Sequence, residues 1–142
     1  MFGIKKLFTS AKQVKNKDIL EAIIAASLIV AAADGEIERK EIEKLEKLLI
    51  NNDSLSSFKP AEIRKIVDRY SGILEADFRV GKLRLMKELN DISDNADQCE
   101  EVFVNALAIA ESGTGKVDDE EAVVLKEIGK ALGINLASFG LQ

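Results

Sequence analysis

Residues 34–45 read DGEIERKEIEKL, and about eighty residues later residues 114–125 read TGKVDDEEAVVL. A glycine, a β-branched residue, an acid, a glutamate and a leucine recur in the same order, and an alanine-rich apolar stretch precedes each copy. The glycine permits a left-handed turn at the end of one helix, and the acid with the glutamate three residues later forms an approximate capping box at the start of the next. The repeat therefore predicts two helical hairpins. Ile37 is expected to pack between the helices of the first, and Val117 between those of the second.

The rest of the chain also has a helical pattern, because glycine and proline are sparse and apolar residues recur at spacings of three and four. Residues 17–33 are apolar almost all round, which predicts a central helix with neighbours on several sides. We predict an all-α, seven-helix, single-domain bundle with a pseudo-twofold repeat of the two hairpins, which form a four-helix core. The seven helices are predicted over residues 2–13, 17–33, 38–50, 60–72 (ended by Gly72), 75–92, 94–110 and 118–132.

The composition removes several classes of function. The 142 residues include no histidine and one cysteine, Cys99. Without imidazole, the chain has no Ser/His/Asp or Cys/His nucleophile system and no histidine zinc site. One cysteine forms neither an internal disulfide nor a four-thiolate zinc site, and we expect Cys99 to be a packed side chain. We therefore expect a protein that is not an enzyme, with no catalytic residues and no organic cofactor.

The acids of the repeat are candidate metal ligands. The string resembles the second half of an EF-hand loop, but Val30 and Ala32 stand where its first and third ligands are required, so a true EF-hand is not expected. Two interpretations remain open: the acids only cap helices, or they weakly bind a hard divalent cation, Ca²⁺ or Mg²⁺, through oxygen. The candidate metal ligands are Asp34, Glu38, Glu41, Asp118 and Glu121.

Charge is distributed unevenly along the chain, whose formal net charge is −5. Residues 59–87 contain eight basic and four acidic residues, whereas residues 88–121 contain eleven acids and one lysine. This distribution predicts a basic pole and an acidic pole that steer charged partners. A net acidic chain with few aromatic residues is not typical of specific nucleic-acid binding.

The N-terminal residues 1–16 form a basic amphipathic segment. Lys5, Lys6 and Lys12 accompany apolar residues at helical spacing, which is typical of a helix on a membrane surface. The alternative is that this apolar face packs on the bundle. The longest apolar run, residues 19–33, is shorter than the roughly 20 residues that a membrane-spanning helix needs, and no secretory signal is apparent, so we expect a cytoplasmic protein.

Residues 32–41, AADGEIERKE, and their echo at Gly115, Val117, Asp118 and Glu121 resemble the tellurite resistance protein TerB family. The resemblance extends over residues 17–133. It implies an all-helical bundle in the cytoplasm, and a role in bacterial tellurite and stress resistance beside an integral membrane protein of the TerC type and other resistance-operon proteins. It also implies divalent metal binding through the acids that match Asp34, Glu38 and Glu41. In the second copy Thr114 replaces the aspartate that precedes the glycine.

These observations predict residues 17–142 to be a TerB-like all-helical domain that follows the basic segment. The expected function is a divalent-cation-responsive adaptor in a membrane-associated resistance complex, cytoplasmic and peripheral to the inner membrane. The alternative is a structural protein–protein interaction module without a metal site, which docks partners through its separate basic and acidic surfaces.

Overall fold

A computed structural model describes Val14, residues 16–112 and residues 117–141. Over those residues the secondary structure is entirely helical, without a strand, and the predicted all-α class is confirmed. The α-helices are α1 (Lys17–Ala31), α2 (Arg39–Ile50), α3 (Pro60–Ala76), α4 (Phe78–Asn90), α5 (Ala96–Glu111) and α6 (Asp119–Leu132), with 3₁₀ turns at Asp53–Leu55 and Leu136–Phe139. The described residues thus hold six α-helices where seven were predicted for the chain. The remaining one, predicted over residues 2–13, lies outside the described residues.

Helix α1 is the centre of the bundle. Its side chains are buried on all sides, and Leu20, Ile23, Ile24 and Leu28 have no exposed surface. The helix packs against every other α-helix, most extensively against α5 and α4. An amphipathic helix buries one stripe, whereas a helix that is apolar all round requires neighbours on several sides. The prediction of a central helix is confirmed.

The two repeated hairpins are α1–α2 and α5–α6, and they meet through the contact of α1 with α5. Helices α3 and α4 also pack against α1, and the buried core includes residues from all six helices. The core is therefore wider than the predicted four-helix core. The physical reason is that the two hairpins alone leave part of the apolar surface of α1 uncovered.

The turn that joins the two helices of a hairpin has the predicted conformation in the first copy, which the structure describes. Gly35 has a φ of 89°, in the left-handed region that favours glycine. Ile37 and Val117 both pack against the core. The corresponding turn at Gly115 lies outside the described residues.

The predicted end of the third described helix at Gly72 is wrong. Helix α3 continues through this glycine to Ala76, and the chain turns instead at Asp77, a single extended residue whose side chain accepts a hydrogen bond from the Val80 amide at 3.1 Å. An interior glycine costs a helix only about 1 kcal/mol relative to alanine. Burial of Tyr70 and Leu74 on either side of Gly72 outweighs that cost.

Hydrogen bonds between buried polar side chains connect the C-terminal end of α2 to α5. Asn52 Nδ2 donates to Asn105 Oδ1 at 2.6 Å, and Asn105 Nδ2 donates to the Glu101 carbonyl at 2.7 Å. Ser54 donates to Asn52 Oδ1 through its amide and its hydroxyl. Buried amides that have these partners avoid the cost of unsatisfied polar groups and favour one relative position of the two helices. The link therefore helps to fix where α2 lies against the second hairpin.

Candidate functional site

A cleft of about 210 Å³ lies where the first turn of α2 approaches the start of α6. We call it the acid cleft, because three of the five predicted metal ligands line it: Glu41, Asp118 and Glu121. The C-terminal parts of α1 and α5 contribute its apolar wall. The other lining residues are Ala31, Lys44, Leu45, Leu48, Ile109, Ala110 and Ser112.

The repeat explains why these acids come together. Glu41 and Glu121 occupy the same position in the repeat, the third residue of α2 and of α6 respectively. The C-terminal ends of α1 and α5 both line the cleft, so the helices that follow them, α2 and α6, begin near one another. Glu41 of the first copy thereby shares a cleft with Asp118 and Glu121 of the second.

The acids of the cleft also cap the helices that carry them. The Asp118 amide donates to Glu121 Oε1 at 3.1 Å, and the Glu121 amide donates to Asp118 Oδ1 at 2.8 Å, which completes a reciprocal capping box. In the first copy the Glu38 amide donates to Glu41 Oε1 at 3.3 Å. A carboxylate has two oxygens and about four lone-pair sites, so a capping bond leaves capacity for a further ligand.

Partial burial disfavours the charged form of two glutamates near the acid cleft, Glu121 and Glu111. Burial raises the pKa of Glu121, the backbone hydrogen bond with Asp118 opposes that rise, and the nearby Asp118 charge adds to it. Burial also raises the pKa of Glu111, in the last turn of α5. A positive charge in the cleft would favour the ionised form of Glu121.

The other two predicted ligands lie elsewhere. Asp34 Oδ1 accepts a hydrogen bond from the Glu36 amide at 3.1 Å and so stabilises its own turn. Glu38 lines a second cleft of about 400 Å³, together with Glu75 and Phe78 from the corner between α3 and α4. Neither Asp34 nor Glu38 lines the acid cleft. Glu41 thus contacts Glu38 through its capping hydrogen bond but shares the acid cleft with Asp118 and Glu121 of the second copy.

The acid cleft suits a hard cation by donor type but does not present a complete ligand set. Carboxylate oxygens are the ligands that Ca²⁺ and Mg²⁺ prefer. Over residues 14, 16–112 and 117–141, however, no three acidic or cysteine side chains form a group that could hold a metal ion. Lys44 lines the same cleft and adds a positive charge there. Among the described residues, therefore, the cleft supplies donor atoms of the right kind but not a preassembled metal centre.

Sequence reasoning missed Lys44 and the cleft formed with the α3–α4 corner. Lys44 follows Glu41 by three residues on α2, and residues three apart share a helix face, so that spacing could have identified it. Glu75 and Phe78 join Glu38 only through tertiary packing, and no local pattern indicates this contact.

A second charged cluster lies between α1, α3 and α4. Arg69 Nη2 lies 3.1 Å from Glu21 Oε2 and 3.4 Å from the Tyr70 hydroxyl oxygen, and its guanidinium carbon lies 5.0 Å from the Tyr70 ring centroid. Burial raises the pKa of Tyr70 to about 12, and it also raises the pKa of Glu88. The Arg69 contacts join α3 to α1, and a side-chain hydrogen bond between Tyr70 and Glu88 joins α3 to α4.

Three further sequence predictions concern chemistry outside the clefts. Cys99 is buried, its thiol donates to the Ile92 carbonyl at 3.4 Å, and burial raises its pKa, as expected for a packed cysteine. No helix within the described part of the chain is long and apolar enough to cross a membrane. The predicted membrane-contacting lysines, Lys5, Lys6 and Lys12, lie outside the described residues.

Comparison with known proteins gives one match. Residues 20–141 match the family model described as Tellurite resistance protein TerB. No curated protein and no solved structure shows a significant match. The matched residues cover nearly the whole chain and include both helical hairpins and the acid cleft.

Proposed function

The chain belongs to the tellurite resistance protein TerB family, and on that premise we propose that it is a non-enzymatic, divalent-cation-responsive adaptor in tellurite and metal stress resistance. Family membership suggests a role related to tellurite resistance. The observation that carries the cation response is the acid cleft, which Glu41 of one repeat shares with Asp118 and Glu121 of the other.

Glu41, Asp118 and Glu121 would hold the cation through carboxylate oxygens. These carboxylates, at the start of α2 and α6, would be neutralised by the two positive charges that Ca²⁺ or Mg²⁺ would supply. The two helices belong to different hairpins, so shared ligation makes cation binding depend on both. Without a preassembled ligand set, the affinity falls in the weak range for such sites, about 10⁻⁴ to 10⁻³ M.

The adaptor role places the chain on the cytoplasmic side of a complex that contains an integral membrane protein of the TerC type and other resistance-operon proteins. Lys5, Lys6 and Lys12 are proposed to contact the membrane periphery. A non-enzymatic role is supported by the absence of histidine from the sequence and by the burial and raised pKa of its only thiol, Cys99. Purified protein is expected to consume tellurite at most stoichiometrically.

Calorimetric titration with Ca²⁺ and Mg²⁺ tests the cation response. The test variant is E41Q/D118N/E121Q, because amide oxygens still accept the capping hydrogen bonds while the ligand charge is lost. The control variant E43Q/D91N/E100Q removes the same charge at exposed positions away from the cleft. We expect saturable binding by the wild-type protein and the control, and a loss of at least tenfold in affinity for the test variant.

The second candidate function is an interaction module without a metal site. The hydrogen bonds by which Glu41, Asp118 and Glu121 cap their helices favour it, because they give each acid a structural role without a cation. Equal, unsaturable heats from the wild-type protein and both variants would select this function. The separated basic and acidic surfaces would then dock partners directly.

A further inference from the structure

We propose that the outward face of α4 docks onto an anionic lipid bilayer. We call this surface the α4 face, and it consists of Arg79, Val80, Leu83, Arg84 and Lys87. The proposal rests on the membrane-associated role proposed above, but it assigns the contact to a folded helix of the bundle and not to the N-terminal segment.

The first observation is unusual apolar exposure. Leu83 is 68% exposed and Val80 is 54% exposed, and among the described residues only Val123 joins them as an exposed large hydrophobic side chain. Residues three apart share a helix face, so Val80 and Leu83 are neighbours. The opposite side of α4 packs into the core through Leu85 and Leu89. The exposed pair therefore forms the centre of an outward ridge.

The second observation is positive charge without internal partners. Arg79, Arg84 and Lys87 are exposed, and no acidic side chain of the described residues forms an ion pair with them. By contrast, Lys82 turns toward the bundle, where its Nζ lies 2.9 Å from Glu127 Oε2. No exposed position of α4 carries an acid.

The arrangement of these side chains matches an interfacial helix. At 100° per residue, Arg79 and Arg84 flank the apolar pair on its two sides, and Lys87 lies one turn beyond Leu83. Basic side chains that flank a small apolar centre are typical of helices that lie on anionic membranes, where the cations contact phosphates and the apolar groups enter the interface.

The size of the apolar centre favours a bilayer over a protein groove. A stable protein interface buries about 800 Å² on each partner, and two aliphatic side chains supply only a small part of that area. Reversible adsorption requires less, because each basic residue near an anionic leaflet contributes about fivefold in partitioning. The inner side of α4 packs closely on α3, where Gly81 lies directly against the Ile73 carbonyl and the Leu74 backbone.

Sedimentation of the full chain with sucrose-loaded vesicles tests the proposal. We expect binding to phosphatidylglycerol/phosphatidylcholine vesicles at low salt, release at high salt, and no binding to pure phosphatidylcholine. The variant R79Q/R84Q/K87Q should partition about a hundredfold less, as three factors of about fivefold imply. V80S/L83S should also bind more weakly, and a spin-labelled lipid should broaden the amide signals of residues 79–87.

Two matched variants keep the assignment specific. K47Q/R64Q/K65Q removes the same charge from exposed positions on α2 and α3. Its vesicle partition coefficient should be at most a few times lower than that of the wild-type protein. K5Q/K6Q/K12Q tests the N-terminal lysines. Circular dichroism melts of all variants verify that the fold is intact.

Several results would overturn the proposal. One is no binding of the wild-type chain to anionic vesicles, and another is an equal loss of binding in the α2–α3 control. A third is loss of binding in K5Q/K6Q/K12Q while R79Q/R84Q/K87Q still binds. Binding of a poly-glutamate peptide through the α4 face, without vesicle binding, would replace the bilayer with an acidic protein partner. Cation titration of the same variants separates these failures from failure of the proposed function, because the α4 variants leave the acid cleft unchanged.

Discussion

Asp118 and Glu121 are each proposed to have two roles, as helix caps and as cation ligands. The first role is visible in their reciprocal hydrogen bonds, which satisfy two amides that the start of α6 would otherwise leave without partners. The second role depends on their negative charge. Because an amide can replace a carboxylate in the first role but not in the second, single substitutions separate them.

We predict that Asp118→Ala lowers the free energy of unfolding by about 1 kcal/mol, because the cap of α6 is lost. Asp118→Asn should leave it within about 0.5 kcal/mol of wild type, since asparagine caps helices as well as aspartate does. Urea denaturation of both variants without divalent cations measures the difference. Equal destabilisation by Asn and Ala would mean that charge and not capping is what Asp118 contributes to α6.

The raised pKa of Glu121 predicts a dependence of stability on pH. The folded state binds this proton more tightly than the unfolded state, whose carboxyl keeps the ordinary pKa of 4.5. The contribution of Glu121 to the free energy of unfolding is therefore fully present below pH 4.5 and is lost as the pH rises through the folded pKa. The free energy of unfolding of the wild-type protein minus that of Glu121→Gln should therefore be larger at pH 5 than at pH 7.

Urea titrations of the wild-type protein and Glu121→Gln at several pH values test this expectation. The comparison with Glu121→Gln matters because burial also raises the pKa of Glu46, Glu88 and Glu111, and the variant retains those contributions. A stability difference that is constant between pH 5 and pH 7 would contradict a raised pKa at Glu121.

At the scale of single residues, the sequence predicts the caps but not the cleft. Asp118 and Glu121 are three residues apart, and local spacing is sufficient to predict their hydrogen bonds. The same reasoning groups Glu41 with Asp34 and Glu38 as metal ligands; the capping contact with Glu38 is present, but neither Asp34 nor Glu38 lines the acid cleft. The meeting of Glu41 with the second copy depends on how α1 packs against α5, which no local pattern encodes.

Helices α3 and α4 each contain an interior glycine, and the two glycines differ in how closely other atoms surround them. A Cβ at Gly72 in α3 would meet no atom within 4 Å, whereas a Cβ at Gly81 in α4 would lie 2.7 Å from the Ile73 carbonyl oxygen and 2.9 Å from the Leu74 Cα. The first glycine is thus replaceable. The second allows the two helices to pack with their backbones in close approach.

We predict opposite effects of alanine at these two positions. Gly72→Ala should raise the free energy of unfolding by about 0.5–1 kcal/mol, because alanine restricts the unfolded chain and favours the helix. Gly81→Ala should lower it by about 1–3 kcal/mol, because the methyl group forces α4 away from backbone atoms that have little room to move. Thermal and urea unfolding of the two variants measure both signs. Destabilisation by both would mean that Gly72 is also in close contact.

The same corner shows what limits prediction of an element's end. Glycine is a common signal for the end of a helix, so ending α3 at Gly72 follows from the local sequence. The stop is instead at Asp77, whose side chain caps α4. The glycine favours an end of the helix, whereas burial of the residues around it favours continuation. Here the burial outweighs the glycine, and the helix continues.

At the scale of the whole molecule, the apolar character of α1 determines the architecture. Helix α1 is apolar all round and packs against the other five α-helices. The second helices of the two hairpins, α2 and α6, begin at the same cleft. This general arrangement is predictable from hydrophobic pattern and repeat. The contribution of α3 and α4 to the core is not, because their apolar stripes do not specify which helix they cover.

At the whole-molecule scale, we propose that the two repeats bind one cation in one shared cleft. Titration of Ca²⁺ and Mg²⁺ into ¹⁵N-labelled protein, with Glu41→Gln as the variant, tests it most directly. We predict saturable amide shifts at residues 38–44 and 117–122 that follow one binding curve, and loss of the shifts in both segments when only Glu41 is changed. Shifts at residues 117–122 that persist unchanged in Glu41→Gln, or diffuse linear shifts in the wild-type protein, would contradict the shared site.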